Sequence, residues 1–412
     1  MFDSKKIDAY FEGHKSLVAR KDVAKQRFNW SRFVKLGFPC FAAAIFGVMM
    51  VLPNIRKSVD ISDKITLPHK SEMEKLHAEQ VVLNVTDKKN RVNQVWADNM
   101  DELEAGSGEI KINNPHAEVN SDSGVINISA DIGFMNQNTK VLRLEENVKV
   151  VDEKNNTIQT SKATYDFENE YGFGDESVYA EGDWGNLSAQ GFNFDKNAEI
   201  LVLLGNSEIN TEKGVLTAEK ETQIFQKENK VISIGNAEVK QNEKSLKADK
   251  IVNYFSSGDK KELVKTEAFG KVKVISEKGT ALADKAIYRA DTGAAELFGN
   301  VVITSEKGVA KSDKAVYQAN TGVAEMFGNV VITSEKGVAK SSRAVYNPKD
   351  NTVDLYDNVV LEQGDNFMYG QHAHTDLNTS ISTMTADKNK GTRVSGIFYS
   401  KRKADNGKKT DK

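Results

Sequence analysis

The fourteen-residue block GNVVITSEKGVAKS begins at Gly299 and recurs unchanged at Gly328, 29 residues further on. One period earlier the chain reads GKVKVISEKGTALA from Gly270, and one period later DNVVLEQGDN from Asp357. Between these blocks lie KAIYRADTGAAELF from Lys285, KAVYQANTGVAEMF from Lys314 and RAVYNPKDNTVDLY from Arg343. Looser copies begin at Gly235, Gly205 and Glu146. A fixed period of this size means stacked supersecondary units that share one core, because a single unit cannot bury its own apolar face.

Each unit reads as short β-strands. Val301, Val302, Ile303 and Thr304 are β-branched, and Ser305-Glu306-Lys307-Gly308 and Ala319-Asn320-Thr321-Gly322 have turn chemistry. Alternation of small or apolar residues with charged ones gives every strand one buried and one wet face. No helical period survives between residues 110 and 385, and Pro115 and Pro348 are the prolines there. Apolar residues are 39% of the chain and charged residues 28%, which favours a thin layered β-fold over a deep compact core.

Ahead of the β-rich region lies LGFPCFAAAIFGVMMVLPNI, twenty uncharged residues between Lys35 and Arg56. As a helix it spans ~30 Å, the thickness of a bilayer's hydrocarbon core. Nine Lys/Arg and four acids precede it, which predicts a cytoplasmic N-terminus with the remainder across the membrane. A cleaved signal peptide fits less well, because the basic region is long and no small-x-small site follows Leu52. A buried core helix has nothing in the polar remainder to bury it. The single cysteine, Cys40, falls inside this segment, so no disulfide framework exists.

Catalytic signatures are missing: no phosphate-binding GxxxxGK[ST], no GxSxG, no HExxH and no CxxC. Calcium-binding repeats are excluded, since GGxGxD is absent and the ADTG and ANTG turns carry at most one acid. His372, His374 and Asp376 alternate along one strand with spacing that would suit a metal, but two polar residues on a wet face explain the pair more simply. No enzyme activity, cofactor or metal is expected. A net charge of −3 gives no overall attraction to nucleic acid. The last segment, residues 386–412, holds nine basic residues and three acids. It reads either as a solubilising tail or as a patch for anionic head groups or phosphates.

The recurring pattern of a G-N-V strand, then a small residue with Asp, then A-x-Y, resembles the OstA-type β-jellyroll of lipopolysaccharide export, whose bearers are LptC and LptA. The residues carrying it are Gly299-Asn300-Val301, Ala283-Asp284 with Ala286 and Tyr288, and Ser312-Asp313 with Ala315 and Tyr317. NPHAEV from Asn114, GVINISADIGF from Gly124, the stretch Glu176 to Phe194, and TRVSGIF from Thr392 are similar to the same family in order. The resemblance covers nearly all of residues 30–400, with a soluble part about twice the length usual for LptC. It implies an all-β chain: an elongated antiparallel OstA-like jellyroll array preceded by one transmembrane helix. The expected division is a cytoplasmic basic segment (1–35), the signal-anchor helix (36–55), a linker (56–80), an LptC-like jellyroll (81–225), an LptA/OstA-like repeat region (226–385) and a basic tail (386–412).

The resemblance further implies a periplasmic lipopolysaccharide carrier, single-pass in the inner membrane. It would be loaded by an inner-membrane ABC transporter complex and would meet LptA-like or outer-membrane LptD-like jellyrolls by end-to-end strand addition. Exposed acyl chains cost about 0.8 kcal/mol per methylene in water, so such a cargo needs a shielded apolar path. Candidate groove residues are Val148, Val150, Leu187, Phe192, Phe194, Ile209, Leu216, Ile224, Val239, Val272, Val274, Val301 and Ile303. The competing reading is a membrane-anchored structural or adhesive β-solenoid in which these residues fill a dry core.

Overall fold

The computed structural model describes residues 75–86, 92–121, 124–195, 197–257, 262–277, 279–379, 381–386 and 393–399. The predicted anchor over 36–55, the basic segment before it and the chain from residue 400 lie outside these. Among the described residues the regular elements are β-strands, and no helix is long and apolar enough to cross a membrane. The strands form two compact units. One comprises the described residues up to Val264 apart from 243–247; the other comprises 243–247 and the residues from Lys265 on.

In the first unit, long strands serve two half-sheets at once. The front of Val92–Glu102 pairs with His116–Ser121, and its back pairs with Glu109–Asn113. Val141–Asp152 divides in the same way, pairing Ile132–Asn136 before a bulge and Gly124–Ser129 after it. Shorter strands fill the rows between. Alternation along each strand sends every second side chain inward, as in Ile110 and Ile112 of Glu109–Asn113. The half-sheets share one core: Met135 and Leu142 come from one, Ile128 and Leu187 from the other, all at most 5% exposed.

The second unit is more regular. Its strands run Gly279–Arg289, Ala294–Ser305, Gly308–Gln318, Val323–Ser334, Gly337–Asn347, Thr352–Gln363 and Asn366–Asp376, each antiparallel to the next. These are longer than the short strands expected from the sequence. Each turn-to-turn stretch is one strand with an irregularity at its middle, where the register shifts, as between Phe298 and Val301 and between Phe327 and Val330. A bulge leaves residues unpaired and bends the strand. Here both bulged residues have positive φ: 73° and 46° at Gly299 and Asn300, 71° and 46° at Gly328 and Asn329. Glycine and asparagine enter that region at the least steric cost. At Gly299 or Gly328 a Cβ would also strike the carboxylate of Asp284 or Asp313.

Asn300 Nδ2 donates to Asp284 Oδ2 at 2.8 Å, and Asn329 Nδ2 to Asp313 Oδ2 at 2.9 Å. The two halves of neighbouring strands are therefore fastened at the bend by a pair of residues recurring with the period. At the far end, Asn366–Asp376 pairs Ile381–Thr385 with one half and Ser395–Ile397 with the other.

Candidate functional site

The bends give each strand an inner and an outer face, and the inner faces carry the apolar residues in register. In the first unit, successive Cα partners run Ile128, Val150, Ile158, Ala180, Leu187, Ile209, Leu216 and Val239, one from each of eight strands. Five predicted groove residues, Val150, Leu187, Ile209, Leu216 and Val239, thus lie in one continuous row. Burial relaxes along it: Leu187 is 5% exposed, whereas Ile209, Leu216 and Val239 are half-buried. Glu208 and Thr217, beside Ile209 and Leu216, alternate onto the opposite face.

The other half-sheet has its own row. Met135, Leu142, Tyr165, Gly172, Phe194, Leu201, Ile224 and Val231 are successive partners. It places Phe194 and Ile224 on either side of Leu201, with Phe192 and Leu203 paired in the neighbouring row. These side chains are tightly enclosed, with Leu142 and Leu203 1% and Phe194 2% exposed. Phe192 lies against Gly174, where an added Cβ would be 2.6 Å from its ring. Burial also pushes the Tyr165 hydroxyl well above its ordinary range. Val148, at the bulge, is 4% exposed.

In the second unit, Val272 and Val301 occupy equivalent places beside the bends, each 1% exposed, as do Val330 and Val359. Further along the same inner face, Val274, Ala281, Ile303, Ala310, Ile332, Ala339, Leu361 and Met368 form a row, all half-buried. Large side chains alternate with alanine over most of it. The predicted residues therefore divide physically: Val148, Leu187, Phe192, Phe194, Ile224, Val272 and Val301 fill enclosed core, and Val150, Ile209, Leu216, Val239, Val274 and Ile303 line partly open surface.

The outer face of the second unit carries charge. Phe269, Lys285, Phe298, Lys314, Phe327, Arg343, Tyr356 and His372 are successive partners, alternating aromatic and basic or imidazole. Lys314 Nζ sits 4.8 Å from the Phe298 ring centre, and Lys285 Nζ 5.1 Å from that of Phe269. One row over, Glu296 accepts from Lys314 (2.9 Å) and Arg289 (2.5 Å), and Glu325 from Arg343 (2.7 Å). Lys314 and then Arg289 hold the Glu296 carboxyl below its usual range. The last repeat places histidines here: His372 Nε2 and His374 Nδ1 both lie 2.9 Å from Asp354 Oδ1. The sequence spacing grouped these histidines with Asp376, but that carboxylate accepts the backbone N–H groups of Asn378 and Thr379. No cluster of three or more His, Cys, Asp or Glu suited to a metal occurs among the described residues.

Residues 41–212 match the family described as lipopolysaccharide-assembly, LptC-related. Residues 216–323 match the LptA/(LptD N-terminal domain) LPS transport protein family, and 318–393 match the OstA-like proteins. Together these matches run from an LptC-related stretch over residues 41–212 to LptA/LptD-like and OstA-like stretches over 216–393. No curated protein matches it. The crystal structure of LptH, described as the LptA homologous periplasmic component of the conserved lipopolysaccharide transport device from Pseudomonas aeruginosa, is 13% identical. That similarity covers 50% of this chain and 99% of LptH at a TM-score of 0.15.

The same corner chemistry recurs across all three matched regions. In the LptC-related region Asn114 donates to Asp98 (2.5 Å) and Asn147 to Asp131 (2.6 Å). Asn236 to Glu219 (2.7 Å) and Asn300 to Asp284 follow in the LptA/LptD-like region. Asn329 of the OstA-like region donates to Asp313 of the region before it, and within the OstA-like region Asn358 donates to Ser342 Oγ at 3.4 Å. Sequence reasoning recorded the G-N and small-Asp motifs without seeing that they bond to each other. It also missed the buried hydroxyl contacts of Ser207 with Thr222 (2.7 Å) and Thr222 with Ser233 (3.4 Å), which satisfy polar groups inside the first unit.

Proposed function

We propose that this chain is an inner-membrane-anchored periplasmic component of lipopolysaccharide export. It accepts lipopolysaccharide from an ABC transporter complex and passes it along the half-buried inner rows toward an LptA-like or LptD-like jellyroll. The observation that carries this reading is the in-register row ending in Ile209, Leu216 and Val239, with its counterpart through Val274 and Ile303. An acyl chain laid across such a row meets apolar side chains at every ~4.8 Å strand spacing, without a polar interruption. The family matches support the same cargo, because each of the first two is described by lipopolysaccharide assembly or transport. The twenty-residue apolar segment at 36–55 supplies the anchor and a place to meet the transporter.

The enclosed residues favour a second role for part of the core. Leu142, Leu144 and Leu203 at 1–2% exposure act as dry packing, so the cargo path is confined to the half-buried rows. Depleting the protein while following newly made lipopolysaccharide tests the reading. Accumulation at the inner membrane is the expected result. Undiminished delivery to the cell surface would leave only the structural or adhesive solenoid.

A further inference from the structure

Each strand of the second unit has a second inward position on either side of its bend, and the two rows so formed differ in chemistry. On one side stands the aliphatic row through Val274, Ile303 and Ile332, whose side chains carry no polar atom. On the other, successive partners run Tyr288, Ala295, Tyr317, Ala324, Tyr346 and Val353. Two residues nearer the bend, Ala315, Met326, Ala344 and Leu355 are at most 9% exposed, which fixes this face as the inward one.

Size is shared between the two rows strand by strand. Tyr288 has Ala281 on its own strand, Tyr317 has Ala310, and Tyr346 has Ala339; conversely Ile303 has Ala295 and Ile332 has Ala324. The large side chains of the two rows are therefore out of step by one strand, ~4.8 Å, and each tyrosine stands on a strand where the aliphatic row steps back to alanine. Leucine or phenylalanine would meet the demand for bulk. A phenol adds a polar tip that must be accommodated, yet it recurs every 29 residues on this row alone. In the first unit Tyr165 holds the matching place beyond Ala163, enclosed at 1% exposure, and Tyr346 is likewise buried. Tyr288 and Tyr317 are half-buried.

We propose that Tyr288 and Tyr317 determine cargo specificity: their hydroxyls bond the ester or amide carbonyl oxygens that join acyl chains to sugar in lipopolysaccharide, while the aliphatic row holds the hydrocarbon. The assignment rests on the lipid-carrier function proposed above. A phenol hydroxyl donates and accepts at once, so it can serve a carbonyl in addition to a partner within the chain. Burial raises the Tyr288 hydroxyl above its ordinary range, which keeps it a protonated donor. Each ring then offers an acylated sugar one hydrogen bond that a plain alkyl chain cannot make.

The test measures binding of two probes by the purified full chain held in an amphipathic polymer. One is lipopolysaccharide; the other is hexadecylphosphocholine, whose alkyl chain has no carbonyl. Y288F/Y317F keeps both rings and should lower the preference for lipopolysaccharide over the alkyl probe roughly tenfold, one hydrogen bond being lost at each ring. Wild type and variant binding lipopolysaccharide alike, or a variant losing both probes in equal proportion, would overturn the tyrosine assignment and leave the carrier function standing. Wild type failing to bind lipopolysaccharide at all would overturn both.

Discussion

Asn329 and Asp313 lie 16 residues apart in sequence, yet their side chains meet at 2.9 Å across the bend between neighbouring strands. Asn329 there has φ of 46°, so one residue serves both the left-handed backbone and the hydrogen bond. Asn329→Ala removes both and should destabilise the second unit by about 1–2 kcal/mol. Asn329→Gly keeps the backbone freedom and should cost about 0.5–1 kcal/mol. Urea unfolding of the two variants separates the contributions; equal stability of wild type and Asn329→Ala would deny the pair any role.

Acid should weaken the second unit through Glu296. Lys314 and Arg289 hold its carboxyl below the ordinary value of 4.5. A depressed folded-state value adds stability above the unfolded value, and that stability is lost as pH falls through the folded one. The urea midpoint of the wild type should therefore drop below about pH 4.5, and Glu296→Gln should show a shallower fall. Parallel curves for the two proteins would refute the assignment.

Excising residues 299–327 should leave a folded chain. The cut joins Phe298 to Gly328 and recreates the FGNVVITSEKG junction that already stands at both places. It removes two strands' length and so preserves strand direction and alternation, with Ile332 taking the place of Ile303 beside Ala281 in the inner row. A control excision of 15 residues reverses strand direction and should fail to fold. Circular dichroism and a cooperative melt check both outcomes.

Much of this architecture was legible in the sequence, because period and alternation are local signals. The repeats beginning at Gly299 and Gly328, their polar turns and their inward-facing Val301 and Ile303 could be read directly. Strand length could not, because Gly299-Asn300 has turn chemistry yet sits as a bulge inside one strand. The pairing of Asn300 with Asp284, and of Phe298 with Lys314, depends on cross-strand register, which a one-dimensional pattern does not carry. The same reason separates Leu187 from Ile209: both are apolar and inward, but only the half-sheets' packing decides which is enclosed.

The alanines between large side chains in the second unit's inner row leave shallow steps, as at Ala310 between Ile303 and Ile332. Ala310→Trp should fill one step while leaving the corner valines undisturbed. Displacing contact worth two methylenes costs about 1.6 kcal/mol, roughly a tenfold loss of lipid occupancy. Binding of lipopolysaccharide by the purified full chain reads that loss. Unchanged affinity would remove this row from the cargo path.

Under the proposed function, lipopolysaccharide travels on the half-buried inner rows. The most direct test of this is photo-crosslinking in cells from Ile209, Leu216, Val239, Val274 and Ile303, with Glu208, Thr217 and Lys273 as outward controls. Lipopolysaccharide adducts are expected from the inward positions and none from the controls. Adducts absent from every inward position, with the same probes forming protein adducts normally, would contradict it.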